Sequence, residues 1–189
     1  AVATNVGATV PFTVDAELHG KLDALARSRN STLFMVVHAA LAVLLARLSG
    51  TRDITVGTPI AGRGEAALDD LIGMFVNTLA LRTEIDPAVT FAGLVDAVRA
   101  TDIAAFGHAD VPFEKVVEAL DPERSAARHP LFQVALAFQN MSSQSLELPG
   151  LSVSGVEFDV PVSKFDLQVT LSELGAGEGM AGVLTYATD

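Results

Sequence analysis

The chain has 189 residues, half of them hydrophobic and 19% charged, which suits one substantial core and not a disordered segment. Its net charge of -11 argues against a nucleic-acid partner, which calls for a basic stripe, and against adsorption to an anionic membrane. There is no cysteine, so disulfides and thiolate metal sites are excluded, and the four histidines show no metal-ligand spacing.

The first residues carry neither a positive n-region nor an apolar h-region, so the expected compartment is the cytoplasm. Val10 to Val14 reads as a short strand. Asp15 is then placed as an N-cap, followed by Leu18, Leu22, Leu25 and Ala26 at helical spacing, giving an amphipathic helix that ends near Asn30. Ser31 is a second N-cap candidate. The helix after it, about Thr32 to Leu48, is apolar almost all round and belongs at the centre of the fold. That run is too short and too interrupted, by His38 and Arg47, to span a bilayer. His38 reads as a satisfied core or interface histidine, and Phe34 and Met35 as core.

Ser49-Gly50 closes the helix, Ile54-Thr55-Val56 forms a strand, and Gly57-Thr58-Pro59 is expected to break it. Ala61 to Asp70 reads as a loop, and Val76 to Ile85 as the next strand. Thr90 caps a helix whose apolar stripe runs from Phe91 to Phe106. Pro112 suits the first turn of a short helix, where its missing N–H costs nothing, and that helix stops before Pro122. Phe132, Val134, Leu136 and Phe138 alternate with Gln133, Ala135, Ala137 and Gln139, the period of a strand. Met141 to Pro149 is a polar loop, and Leu151 to Phe158 a strand with a bulge at Gly155. Phe165, Leu167, Val169 and Leu171 alternate again, and a hairpin from Gly175 to Gly179 leads to a last strand, Met180 to Tyr186. The expected fold class is α/β: a two-layer sandwich with a mixed, largely antiparallel sheet packed on helices.

Three segments stand apart from this periodicity. Ile72-Gly73-Met74-Phe75-Val76-Asn77-Thr78 sets two polar residues in an apolar strand-like run, where a buried Asn must find partners or mark a bulge. His108-Ala109-Asp110-Val111-Pro112-Phe113-Glu114 reads as a helix start, with Asp110 as the cap, Phe113 in the core and Glu114 in the acidic first turn. The third is Arg128-His129-Pro130-Leu131-Phe132-Gln133. In this order and at these distances the three segments resemble the condensation domains of nonribosomal peptide synthetases, over nearly the whole chain. Gly57 to Arg63, Lys164 to Leu167 and Leu184 to Asp189 resemble further family segments. Ala109 stands where the family usually has Gln, and His129 where Asn is commoner.

The resemblance implies one chloramphenicol acetyltransferase-like lobe, spanning residues 1–189. Condensation domains have two such lobes, and their His-His-x-x-x-Asp-Gly motif lies in the N-terminal one. No adjacent histidine pair occurs here, so the chain resembles the C-terminal lobe, with no catalytic residue of its own and inactive alone. The implied partners are the N-terminal lobe and the donor and acceptor peptidyl carrier proteins. The carriers' phosphopantetheine arms enter as substrates, and no cofactor or metal is bound directly. Asn77, Thr78, Thr58 and Arg82 are the candidates for the substrate tunnel. Asn77 would orient an acyl group through its amide, and Arg82 would meet a carboxylate of the other lobe or a phosphate, or else remain a solvated strand-end arginine. Gly73, Phe75, His108, Asp110, Pro112, Phe113 and Pro130 are expected to be structural. Three other readings stay open: an epimerisation or cyclisation relative, from which the Phe75-Val76-Asn77-Thr78 run argues away; a non-catalytic condensation-like domain that recruits a tailoring enzyme; and a free-standing acetyltransferase, which would need a histidine after His129.

Overall fold

The computed structural model describes residues 3–62, 70–139, 151, 161–175 and 177–188. The chain runs β1 (Gly7–Val14), α1 (Ala16–Ser28), α2 (Leu33–Ser49), β2 (Asp53–Ile60), β3 (Asn77–Glu84), α3 (Phe91–Phe106), α4 (Phe113–Leu120), β4 (Val134–Gln139), β5 (Leu167–Gly175) and β6 (Gly179–Ala187). The six strands form one mixed sheet in the order β1-β6-β5-β4-β2-β3, in which β4 runs parallel to both β2 and β5 and the other neighbours are antiparallel. The expected strand at Leu151 to Phe158 and the loop before it lie, apart from Leu151, outside the described residues.

Local chemistry explains most element ends. Asp15 caps α1 by accepting from the Leu18 N–H at 2.8 Å. The cap of α2 is Thr32, which accepts from the Met35 N–H, and not Ser31. The Ser31 hydroxyl instead donates to the Ala26 carbonyl and ties down the end of α1. Thr90 caps α3 as expected, accepting from the Gly93 N–H. Gly50 ends α2 in the left-handed conformation (φ 73), which a residue with a side chain resists.

Gly57-Thr58-Pro59 does not break β2, which continues to Ile60. β4 pairs with β2 only at Val56 and Gly57, so Pro59 falls where one flank of the strand has no ladder to complete. Gly57 is required for a different reason. A Cβ there would lie 2.1 Å from the Phe132 ring, which packs flat onto the strand. On the outer edge, Pro11 sits in the middle of β1.

The sheet alternates, and one face is covered by α1, α2 and α3. Ile54, Val56, Leu136, Val169 and Leu171 pack there against Leu41 and Ala42 of α2. A second cluster joins Ala26, Met35, Val36 and Ala39 to Leu94, Val95 and Val98 of α3. Fully buried Leu81 and Leu136 each contribute about 1.5–3 kcal/mol. The first half of α2 is buried as expected, but Leu44 and Leu48 near its end are open. No described helix is long and apolar enough by itself to cross a bilayer.

Inside this layer His38 and Asp102 are both wholly buried, with His38 Nδ1 3.1 Å from each carboxylate oxygen. The pair fastens α2 to α3. His38 is therefore a core histidine satisfied through Nδ1, and Nε2 has no partner among the described residues.

Gly57→Ala is expected to destabilise the domain by about 1–3 kcal/mol, because the methyl group overlaps Phe132. Adding Phe132→Leu to that variant should recover part of the loss, since the two side chains share one space. Urea unfolding of the four members of the cycle checks this.

Candidate functional site

The three unusual segments come together around Asn77. Its Nδ2 donates to the carbonyls of Ala109 at 2.9 Å and Val111 at 2.8 Å. Its Oδ1 accepts from the N–H of Phe113 at 3.1 Å and of Thr78 at 2.8 Å. A side-chain amide offers two donors and two lone pairs, and all four are taken. The amide expected to orient an acyl group is therefore spent on the backbone.

Phe113 is the first residue of α4, whose N-cap position is Pro112 and makes no side-chain cap bond. The open N–H is satisfied from another strand by Asn77, so Asp110 is not the cap. Pro112 stands one place before the first helical residue, where it still leaves no donor unmet. His108 is exposed, in the turn between α3 and α4, and only its backbone takes part in the turn.

Phe113 then leads to the third segment. Its ring stacks on His129 at 5.4 Å and meets Phe132 edge-on at 5.7 Å. His129 lies 4.4 Å from Phe132 and 5.1 Å from Phe165 between ring centroids. Its Nδ1 donates to the Pro130 carbonyl at 2.9 Å, which fixes the ring. Leu131 has φ 69, and the Phe132 N–H donates back to Pro130 O at 2.9 Å, a tight turn of the rare positive-φ kind. Such a turn costs about 1–3 kcal/mol and is held by the packing of Phe132 onto Gly57. His129 also borders a cleft of about 530 Å³ shared with Arg128, Lys164 and Gln133.

Phe75 lies two residues before β3 and is half-buried. A Cβ on Gly62, which has φ 64, would lie 1.7 Å from the Phe75 carbonyl oxygen, and one on Gly73 would touch the Phe75 ring at 3.1 Å. Gly62 is set by its positive φ and this close approach, whereas at Gly73 the Phe75 ring would need only a slight shift. Ile72 and Met74 beside them are almost wholly exposed.

The remaining tunnel candidates separate by sheet face. Thr58 is 3% exposed and shares the face of Ile54 and Val56, so it points into the core and not toward an open wall. Thr78 pairs with Pro59 on the opposite face and is half-buried. Arg82 is on that face too, but it is neither free nor waiting for another lobe. Its guanidinium holds Asp53 at 2.8 and 2.7 Å, a bidentate bridge between β2 and β3. The hydrogen bond, with the attraction between the charges, holds the Asp53 carboxyl below its ordinary value and raises Arg82. Among the described residues no group of three His, Asp or Glu could hold a metal ion.

Three features escaped the sequence reading: the His38–Asp102 pair, the Arg82–Asp53 bridge, and a Gln168–Thr170 contact on β5 in which Gln168 Nε2 donates to Thr170 Oγ1 at 3.1 Å. Only the last had a visible signal, since the polar positions of the alternating strand Phe165 to Leu171 are those that face away from the core.

The family profile described as "Condensation domain" matches residues 1–189. The chain is 46% identical over 187 residues to the dimodular nonribosomal peptide synthase of Bacillus subtilis, covering 97% of this chain and 8% of that protein. It is 42% identical over 192 residues to the isonitrile lipopeptide synthase of Mycobacterium tuberculosis, covering 100% and 8%. The chain thus spans less than a tenth of these curated relatives. Among solved structures, the X-domain from teicoplanin biosynthesis superposes with a TM-score of 0.92 at 31% identity, over 100% of this chain and 43% of that one. The same X-domain in complex with OxyB gives 0.89 at 32%, over 100% and 42%.

Asn77→Ala is expected to cost about 3 kcal/mol or more, because it strips backbone groups at the α3–α4 crossing of their partners. Asp110→Ala should change stability by no more than about 0.5 kcal/mol. Thermal unfolding of both variants separates the two roles. The Arg82–Asp53 bridge adds its part above the ordinary Asp value of 3.8, and that part is lost as pH falls through the lower folded value. Asp53→Asn should remove this component of the acid limb of the pH–stability curve.

Proposed function

The chain belongs to the condensation-domain family, and from that premise we propose that it is the C-terminal lobe of a domain that makes amide bonds between carrier-bound thioesters. The amine nitrogen of an aminoacyl group attacks the carbonyl carbon of a peptidyl thioester. The C–N bond forms, the C–S bond breaks, and the amine proton leaves with the thiolate as free thiol. The observation that carries the reading is the full-length family match together with a superposition that occupies only 43% of a neighbour's chain. A second lobe bringing the histidine motif would account for the remainder of such a domain.

This lobe's own part is positional. Asn77 and the aromatic cluster hold the crossing between α3 and α4, and Thr78 faces the open side of the sheet, where one wall of the tunnel would lie. None of the four histidines suits the role of base. His38 is sealed with Asp102, His129 is locked among aromatic rings, His19 lies 3.3 Å from Glu173, and His108 sits on an exposed turn without a carboxylate partner among the described residues. The carriers would dock on the rim, and their phosphopantetheine arms would deliver both substrates.

A second reading is favoured by the superposition on the X-domain, a protein solved in complex with OxyB: a condensation-like domain that recruits a tailoring enzyme and makes no bond. One experiment tests both. The complete synthetase is loaded with donor and acceptor substrates and the dipeptidyl thioester is followed by mass spectrometry. Turnover by the full protein and none by residues 1–189 alone is the expected result. A full protein that forms no product but binds a tailoring enzyme would overturn bond formation in favour of recruitment.

A further inference from the structure

The face of the sheet turned away from α1, α2 and α3 has an unusual composition. On β1, β6, β5 and β4 the register places Thr, Pro, Ala, Val, Gln and Ser there, with exposed Leu174 at the irregular end of β5 and no charged residue, apart from the end pair of β1 and β6. The charges of this face gather at the far corner of β2 and β3, where Asp53 and Arg82 satisfy each other. Phe132 covers the part over Gly57, and Ala135 beside it is 4% exposed. The stretch along β5 stays accessible, with Gln168, Thr170 and Ala137 only half-buried. A sheet face meant for bulk water in a chain of charge -11 has every reason to carry acids, and on β1, β6, β5 and β4 this one carries none.

Gln168 and Thr170 are the ordered polar groups of that stretch. Both point the same way, two residues apart, and the Gln168 Nε2 to Thr170 Oγ1 bond at 3.1 Å holds them in register. That bond leaves the Thr170 hydroxyl hydrogen to donate. It also leaves the Gln168 carbonyl oxygen to accept and one amide hydrogen to donate. On the β4 side their paired neighbours are Ala135, which is buried, and half-buried Ala137, whose short side chain leaves a shallow trough beside Thr170. On the other side Thr185 and Val183 of β6 form a bank.

We propose that Gln168 and Thr170 hold a secondary amide of the thioester-linked chain as it passes along this trough. The inference rests on the function proposed above and moves the substrate-holding role from Asn77, whose amide is spent, to β5. A secondary amide presents one N–H and one C=O, which match the free acceptor of Gln168 and the free donor of Thr170. A charged group would find no counter-charge there, so the trough selects an uncharged, amide-bearing thread. Two sources share that chemistry: the pantetheine arm and its peptidyl or aminoacyl load.

The test uses the complete synthetase with Gln168→Leu, Thr170→Val and Ala137→Leu, the last filling the trough. Condensation is measured with carrier-bound substrates and with soluble thioesters that lack the pantetheine amides. Binding of a pantetheine-bearing carrier protein is measured alongside by fluorescence anisotropy. Each of the first two variants is expected to lose about five- to tenfold in kcat/KM or in affinity, the scale of one net hydrogen bond. Thr170→Ser should restore Thr170→Val, and the melting temperatures should hold because these side chains face away from the core. A loss that persists with soluble thioesters assigns the amide to the load, and a loss confined to carrier-bound substrates assigns it to the arm. Variants equal to wild type in both assays overturn the inference while leaving amide-bond formation in place. A wild type that forms no bond, yet binds the carrier more tightly than the variants do, overturns bond formation and keeps the trough. A wild type that does neither overturns both.

Discussion

The Asn77 side-chain amide fastens two sides of a sheet that otherwise share little. α3 packs on the helical face, whereas Phe113 at the head of α4 joins rings that lie over Gly57 on the opposite face. The chain between them must pass around the first residue of edge strand β3. Turning a chain through such a corner exposes carbonyls and an uncapped helix N–H that regular structure cannot satisfy. One amide supplies both donors and both acceptors. A carboxylate of the same shape could accept from Phe113 but would face two carbonyls with no hydrogen to give, and an aliphatic residue would satisfy neither side. The site is thus specific for one residue type on grounds of bonding capacity alone.

From that corner the order spreads by contact. Phe113 positions His129, His129 and the strained Leu131 turn position Phe132, and Phe132 lies flat on Gly57. Three segments distant in sequence become one hydrophobic plug at one end of the outer face. The His38–Asp102 pair does comparable work in the helical layer, where removing either partner would leave a buried polar group alone. Beyond the plug, Ala137, Gln168 and Thr170 of the outer face are half-buried and no described helix packs over them.

Much of this was legible in the sequence because it rests on periodicity. The almost wholly apolar α2, the two-residue alternation of Val134 to Gln139 and Leu167 to Leu171, and the caps Asp15 and Thr90 all follow from spacing and side-chain type. The failures are tertiary. Ser31 and Thr32 are both competent caps, and only the path of the chain chooses between them. Asp110 looks like the cap of α4 because sequence proximity suggests it, while the actual partner lies 36 residues away. Thr58 was misplaced because its direction depends on whether β2 ends at Val56 or continues to Ile60. Arg82 and Asp53 are 29 residues apart and meet only through strand register. Polar residues in strands announce themselves readily, but which of them is already occupied does not appear in the sequence.

Pro11, on the outermost strand among the described residues, bears on assembly. A strand at the margin of a sheet ordinarily offers a ladder of donors to any passing chain, and the ring of Pro11 takes one rung from the middle of β1. Sideways growth of the sheet is therefore discouraged at that margin. Whatever associates with this domain is directed to its broad faces and loops, where shape and side-chain chemistry discriminate among partners, and away from backbone pairing, which accepts nearly any sequence.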